Sequence, residues 1–157
     1  MGQFHRGERA REAQGSWQGV PVRILKPQTY MNRSGAAIAP LRVSPDFDPS
    51  QHLLILVDEV ALPLGRFRLR GAGSAGGHNG LKSVEAALQR QDYARLRIGV
   101  GPPPPGLDDL ADFVLDEFAP EERQVIEELM EPMSQAVECW LENGIEKAMN
   151  QFNRMSS

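Results

Sequence analysis

The stretch R-F-R-L-R-G-A-G-S-A-G-G-H-N-G-L-K, residues 66–82, constrains the fold more than any other part of the chain. Basic and apolar residues alternate over 66–70, which is the two-residue period of a β-strand. Five glycines follow between residues 71 and 80, and residues 81–88 have helical spacing. The pattern predicts a basic strand, a flexible loop, and a helix whose N-terminus carries His78 and Asn79. Such a terminus presents backbone N–H groups and a positive dipole end, so it suits an anionic or carbonyl ligand.

Strands and helices alternate on both sides of this stretch. The continuous apolar run of residues 52–57 predicts a strand buried on both faces that ends at Asp58-Glu59, where parallel sheets place ligand-binding residues. Residues 1–19 have the composition of a tail or a weak strand. The other predicted elements are strands at 20–27 and 93–100, and helices at 35–43, 107–115, 120–130 and 133–152, with a kink or restart at Pro132 and a break near Gly144. The sequence therefore predicts one α/β domain over residues 1–157, with a mixed, mostly parallel sheet flanked by helices and a helical C-terminal end.

Composition places the chain among ordinary globular proteins. It has 157 residues, of which 41% are hydrophobic and 24% charged, and its formal net charge is −4. Basic residues concentrate between Arg66 and Arg97, so a cationic site can exist within an acidic chain. Cys139 is the only cysteine, which excludes an internal disulfide and a cysteine-rich zinc site. No apolar run reaches the length of a membrane span and residues 1–20 lack a signal-peptide core, so we expect a cytoplasmic protein with no membrane partner.

Individual polar residues admit both a structural and a functional interpretation. Glycines on both sides of His78 allow close approach of a ligand, which favours function over a solvated loop residue. Two carboxylates after a buried run favour a cleft acid at Asp58 over a turn former. For Asn32 the local pattern favours a helix N-cap. The arginines of strands 66–70 and 95–97 fit a phosphate-binding surface and a solvated sheet face equally well.

Residues 71–76 formally match G-x-G-x-x-G, the fingerprint of dinucleotide-binding oxidoreductases. That fold requires a hydrophobic strand before the glycines and an acid about twenty residues after them. Here the preceding strand is rich in arginine, and the acid at the required distance, Asp92, lies in a predicted turn. We therefore expect no nucleotide cofactor.

Four collinear stretches resemble the bacterial peptidyl-tRNA hydrolase family: K-P-Q-T-Y-M-N-R-S-G (26–35), L-V-D-E-V-A-L-P-L-G (56–65), R-L-R-G-A-G-S-A-G-G-H-N-G-L-K-S (68–83) and R-L-R-I-G-V-G (95–101). The tail W-L-E-N-G-I-E-K-A-M-N (140–150) is also similar, so the resemblance covers about residues 20–152. It implies hydrolysis of the ester between peptide and tRNA, which recycles tRNA from stalled translation. It further implies a monomer that uses no metal or cofactor and binds the 3′ end and acceptor stem of peptidyl-tRNA.

The resemblance also assigns roles to individual residues. Asp58 corresponds to the acid that orients the catalytic histidine, and Asn32 and Asn79 to the amides that hold the substrate and the attacking water. These assignments replace the N-cap interpretation of Asn32 and favour phosphate binding by the arginines. The substrate-binding and tRNA-binding residues implied by resemblance are Tyr30, Met31, Asn32, His78, Asn79, Arg68, Arg70 and Arg97.

The opening motifs of the family do not occur in these residues. Family members begin with a strand that ends in G-L-G-N-P-G and continue to T-R-H-N, which holds the catalytic base. The neighbours of His5, in Q-F-H-R-G, do not match that motif. We therefore expect residues 1–157 alone to hydrolyse peptidyl-tRNA feebly or not at all, and a chain extended upstream with both motifs to be active. The rival interpretation is a non-catalytic protein that binds the tRNA 3′ end.

Overall fold

The structure, a computed structural model, describes residues 5–6, 10–27, 35–38, 45–75, 78–101 and 119–153. The chain divides into two compact units. The first consists of Met1–His52 with Ala72–Asp92, and the second of Leu53–Gly71 with Tyr93–Ser157. The helix predicted over residues 107–115 lies outside the described residues.

The first unit combines an antiparallel sheet with helices. Its strands are β1 (His5–Arg6), β2 (Ala10–Trp17) and β3 (Val20–Pro27), in the order β1-β2-β3. Its helices are α1 (Gly35–Ile38), α2 (Pro49–His52) and α3 (Asn79–Leu88). The strand predicted at residues 20–27 and the helix after the glycine-rich loop are therefore confirmed. Leu81, Val84 and Leu88 are buried along one side of α3 at helical spacing.

The hairpin β2–β3 corrects the expectation of weak structure near the N-terminus. The two strands pair antiparallel along their whole length, from Ala10 opposite Pro27 to Trp17 opposite Val20. Gln18 (φ 49°) and Gly19 (φ 83°) connect them, and two successive positive φ angles are typical of the type I′ turn that matches strand twist. Of the two expected alternatives, the tail is therefore wrong for residues 10–17 and the strand is confirmed. Q-G is a weaker turn signal than N-G or D-G, so the sequence pattern did not reveal the hairpin.

The second unit contains a mixed sheet. Its strands are β4 (Leu54–Pro63), β5 (Phe67–Arg70) and β6 (Ala94–Gly101), in the order β4-β6-β5. Strand β4 runs parallel to β6, and β5 runs antiparallel to it. The predicted α/β class with a mixed sheet and flanking helices is confirmed. The parallel share is smaller than predicted among the described strands, because the short turn after β4 reverses the chain before β5.

Strand β4 begins and ends later than the sequence predicted. Residues 49–52 belong to α2, since Asp48 Oδ1 accepts hydrogen bonds from the amide and hydroxyl groups of Ser50 at 3.0 and 2.7 Å. Asp58 and Glu59 consequently lie inside the strand and not at its end. Full burial on both faces is also wrong: no residue of β4 is fully buried, and the Leu56 side chain is 56% exposed.

Two C-terminal helices, α4 (Pro120–Asn143) and α5 (Ile145–Phe152), form the core of the second unit with β5 and β6. The predicted restart at Pro132 is wrong, since α4 continues through this residue. Burial of Met133 in the following turn helps to offset the cost of an interior proline, about 3 kcal/mol. The predicted break at Gly144 is confirmed, and its φ is 89°. The buried residues of this core are Phe67, Leu69, Leu96, Met133, Ala136, Cys139, Ala148 and Phe152.

Candidate functional site

His78 is the N-cap residue of α3, and hydrogen bonds of its backbone and its ring help to hold it there. Its extended backbone (φ −80°, ψ 115°) donates from N to Ala75 O at 3.1 Å, and its carbonyl accepts from Lys82 N at 3.0 Å. Its ring nitrogen Nδ1 accepts from Leu81 N at 3.1 Å. The imidazole thus does what serine or asparagine oxygens usually do at this position. His78 and Asn79 therefore lie at the start of a helix, as the sequence predicted.

The cap bond also fixes the tautomer of His78. A neutral imidazole whose Nδ1 accepts a hydrogen bond carries its proton on Nε2. His52 is in the same state, because its Nδ1 accepts from Asp48 N at 2.9 Å. While these bonds hold, neither ring has a lone pair with which to take a proton from water. These two described histidine rings are therefore hydrogen-bond donors at Nε2 and not general bases.

Gly35, the first residue of α1, lies directly against α3. The Gly35 amide donates to Ser83 Oγ at 2.8 Å. A β-carbon at Gly35 would meet the backbone carbonyl carbon of Ser83 at 2.7 Å and the Ala87 β-carbon at 2.9 Å. Only glycine permits so close an approach of α1 to α3. Tyr30, Met31 and Asn32 lie outside the described residues. The contact of Gly35 with Ser83 is one helical turn from Asn79.

Asp58 lies on β4 in the second unit, where its side chain is half-buried. It is opposite Ile98 of the parallel strand β6. Period-two alternation puts Asp58 on the same face as Leu54, and Glu59 on the other face. The two neighbouring carboxylates therefore lie on different faces of the sheet, although the sequence pattern suggested a single acidic pair.

Arginines occupy the sheet face opposite the helical core. Phe67 and Leu69 of β5 are buried in the core, whereas Arg68 and Arg70 alternate with them and are exposed. The predicted shared face of Arg68 and Arg70 is therefore confirmed, and Arg97 faces the same side from β6, directly opposite Arg68. This arrangement can bind anions such as nucleic-acid phosphates.

Two further residues determine how much positive charge this face offers. Arg97 Nη1 lies 2.8 Å from Glu59 Oε1, and both side chains are about three-quarters buried. Arg95 is fully buried, with its guanidinium 4.3 Å from the ring centroid of Tyr93 and its Nη2 donating to Tyr93 O at 3.3 Å. Arg95 is therefore a packing residue. Glu59 was missed as a partner of Arg97 because the two residues lie 38 positions apart in the chain.

A separate ionic cluster lies at the other end of α3. Arg90 donates to both carboxylate oxygens of Asp92 at 2.6 Å, and its Nη2 is 3.6 Å from Asp48 Oδ1. The hydrogen bond from Arg90 lowers the pKa of Asp92, and the hydroxyl of Ser50 is the main cause of the lowered pKa of Asp48. These groups are exposed, so they contribute little to stability.

The connection from β5 through α3 to β6 bears on the dinucleotide interpretation. A dinucleotide fingerprint belongs to a βαβ unit, in which the helix connects two parallel strands. Here β5 and β6 are antiparallel. The glycine pattern of residues 71–76 therefore lacks the topology that a dinucleotide fingerprint needs.

Within the described ranges, no His, Cys, Asp and Glu side chains group as metal ligands, and no helix is long and apolar enough to cross a membrane.

Known proteins resemble this chain in both sequence and fold. The family model described as "Peptidyl-tRNA hydrolase" matches residues 2–157. The peptidyl-tRNA hydrolase of Chloroflexus aggregans is 45% identical over 150 residues, which cover 94% of this chain and 79% of that protein. The corresponding protein of Gloeobacter violaceus is 47% identical over 148 residues, with coverages of 92% and 72%. The crystal structure of peptidyl-tRNA hydrolase from Acinetobacter baumannii superposes with a TM-score of 0.86 at 30% identity and covers 96% of this chain and 76% of that one.

Proposed function

The chain belongs to the peptidyl-tRNA hydrolase family, and we propose that it hydrolyses the ester between a peptide and the 3′ ribose of tRNA. This reaction would return tRNA from stalled translation in the cytoplasm. The observation that carries the proposal is the start of α3, where His78 caps the helix and Asn79 is its first residue, one turn from the contact between Gly35 and Ser83.

We assign the amides of Asn79 and Asn32 to the reacting centre. Water attacks the ester carbonyl carbon, gives a proton to a base, and forms a tetrahedral oxyanion. The bond from that carbon to the ribose oxygen then breaks, and the ribose oxygen takes the proton. Amide donors and the positive end of α3 can stabilise the oxyanion, a contribution that is typically ~3–4 kcal/mol per donor.

The base must lie within hydrogen-bond reach of the attacking water. The Nδ1 bonds of His52 and His78 disfavour both rings for this role. By resemblance, we propose that the base is the histidine of a T-R-H-N motif, oriented and kept basic by Asp58. Residues 1–157 do not contain that motif, and the side chain of His5 lies outside the described residues.

For tRNA binding we propose phosphate contacts by Arg68, Arg70 and Arg97 along the acceptor stem. Their common sheet face and the exposure of Arg68 and Arg70 support this proposal. Tyr30 and Met31 are proposed to form the wall of the peptide and 3′-end site, in agreement with the resemblance.

Release of peptide from peptidyl-tRNA tests the proposal. The assay compares residues 1–157 alone with the same chain joined behind a segment that carries G-L-G-N-P-G and T-R-H-N. We expect fast hydrolysis by the longer chain, and its loss on Asp58→Asn or Asn79→Ala. Full turnover by residues 1–157 that disappears on His5→Ala would replace the proposed base. If both chains bind tRNA and neither hydrolyses the ester, the protein is a 3′-end binder.

A further inference from the structure

On the sheet face of the second unit that carries the arginines of β5 and β6, called here the arginine face, positively charged side chains lie directly opposite each other across the two strands. Arg68 is paired with Arg97 across the antiparallel strands β5 and β6, and Arg70 with Arg95. Opposite side chains in such a pair have β-carbons roughly 4.5–5.5 Å apart, and like charges at that distance destabilise a sheet. The face therefore needs either anions or burial to be stable.

The arginines of this face differ in how far burial or an anion compensates their charge. Arg95 is removed from the surface and stacks on Tyr93. Arg97 has Glu59 at 2.8 Å, whereas Arg68 is exposed. The Arg97 Nε is buried and has no hydrogen-bond partner among the described residues, so the carboxylate of Glu59 satisfies only part of the guanidinium.

Carboxylate and phosphate bind a guanidinium through the same planar arrangement of donors. On the basis of the tRNA binding in the proposed function, we propose that the Glu59 carboxylate occupies the position beside Arg97 that an RNA phosphate takes in the complex. This carboxylate neutralises Arg97 in the free protein. A phosphodiester that bridges Arg68 and Arg97 displaces it when RNA binds.

This exchange has two consequences. In the free protein, Glu59 neutralises Arg97 and so reduces its repulsion of Arg68 without RNA. In the complex, RNA competes with Glu59 for Arg97, so the affinity for tRNA is lower than the arginines alone would give. Glu59 thus sets the affinity of the site without touching the substrate.

Glu59→Gln tests the proposal without any measurement of hydrolysis. Binding of deacylated tRNA is measured by fluorescence anisotropy across a range of salt concentrations. We expect Glu59→Gln to bind roughly two- to fivefold more tightly than the unmodified chain at low salt, since a partly exposed ion pair no longer has to be broken. The slope of log K against log salt should stay unchanged, because the phosphodiester displaces Glu59 in the unmodified chain too and both complexes have the same number of phosphate contacts. The double variant Glu59→Gln, Arg68→Ala should lose the gain in affinity.

Glu128→Gln is the matched control, because Glu128 is exposed on α4 and its removal changes the net charge equally. An equal gain in this variant would mean that general charge, and not release of Arg97, causes the effect. A Glu59→Gln affinity equal to that of the unmodified chain at low salt would overturn the proposal.

A second arm uses orthophosphate and needs no RNA. Without Glu59, Arg97 lacks its counter-charge and faces Arg68 directly, so Glu59→Gln should have a lower Tm in phosphate-free buffer. Orthophosphate should raise that Tm more than it raises the Tm of the unmodified chain or of Glu128→Gln. An equal rise in all three contradicts the anion site. If no form binds tRNA but the selective rise occurs, the anion site stands and the proposed function fails.

Discussion

Gly35→Ala is the sharpest test of how α1 is held against α3. The new β-carbon would lie 2.7 Å from the backbone carbonyl carbon of Ser83 and 2.9 Å from the Ala87 β-carbon, and closer still to the Ser83 carbonyl oxygen. Ordinary contact begins at 3.4 Å, so α1 and α3 must separate by roughly 0.7 Å or more. Because the nearest atoms belong to the backbone of α3, a side-chain rotation cannot relieve the clash.

Overpacking of this kind typically costs about 1–3 kcal/mol. We therefore expect the free energy of unfolding of Gly35→Ala in urea to fall by about that amount, with an unchanged m-value. A displacement near 1 Å can lower a reaction rate roughly a hundredfold. Peptide release by the longer, T-R-H-N-bearing chain should fall accordingly, mainly in kcat, because α1 moves relative to the start of α3, where Asn79 lies.

Ser83→Ala is the matched control. It removes the hydroxyl that accepts from Gly35 N but leaves the close approach intact, so it should cost only about 1 kcal/mol. Its effect on kcat should also be smaller than that of Gly35→Ala. An unfolding free energy of Gly35→Ala within a few tenths of a kcal/mol of the unmodified chain would refute the close packing of α1 on α3.

Two further substitutions test the cap and the arginine face. His78→Ala should lower the free energy of unfolding in urea by about 1 kcal/mol and His78→Asn should restore it, because asparagine oxygen also caps helices; an equal loss in both variants would show that the imidazole acts in another way. Arg68→Ala should weaken anisotropy-measured binding of different tRNAs alike and reduce the salt slope by about 0.9, as expected for a phosphate contact. Weakening confined to one tRNA would contradict phosphate binding by Arg68.

Local patterns predicted the elements whose signals lie within a few residues. Alternation identified β3, β5 and β6, and the glycines followed by helical spacing identified the loop and α3. Failures occurred where a weak local signal was overridden by pairing or packing. The turn at Gln18-Gly19 is fixed because β2 and β3 pair along their whole length. Pro132 stays helical beside the buried Met133.

The candidate site was predicted unevenly for a related reason. The motif around His78 is continuous in the chain, so its place at a helix start could be inferred. The contacts of Gly35 with Ser83, and of Glu59 with Arg97, join residues 48 and 38 positions apart. Spacing within one sequence carries no record of such pairings. His78 as a cap through Nδ1 also depends on the geometry of the ring, which only coordinates reveal.

The most direct test of the proposed chemistry is the steady-state hydrolysis of peptidyl-tRNA by the longer, T-R-H-N-bearing chain with and without Asn79→Ala. If Asn79 holds the attacking water and the tetrahedral intermediate, its loss removes ~3–4 kcal/mol of transition-state stabilisation. The account predicts that kcat falls roughly a hundredfold or more while KM changes little. An unchanged kcat with a raised KM would contradict it and would show that Asn79 only binds the substrate.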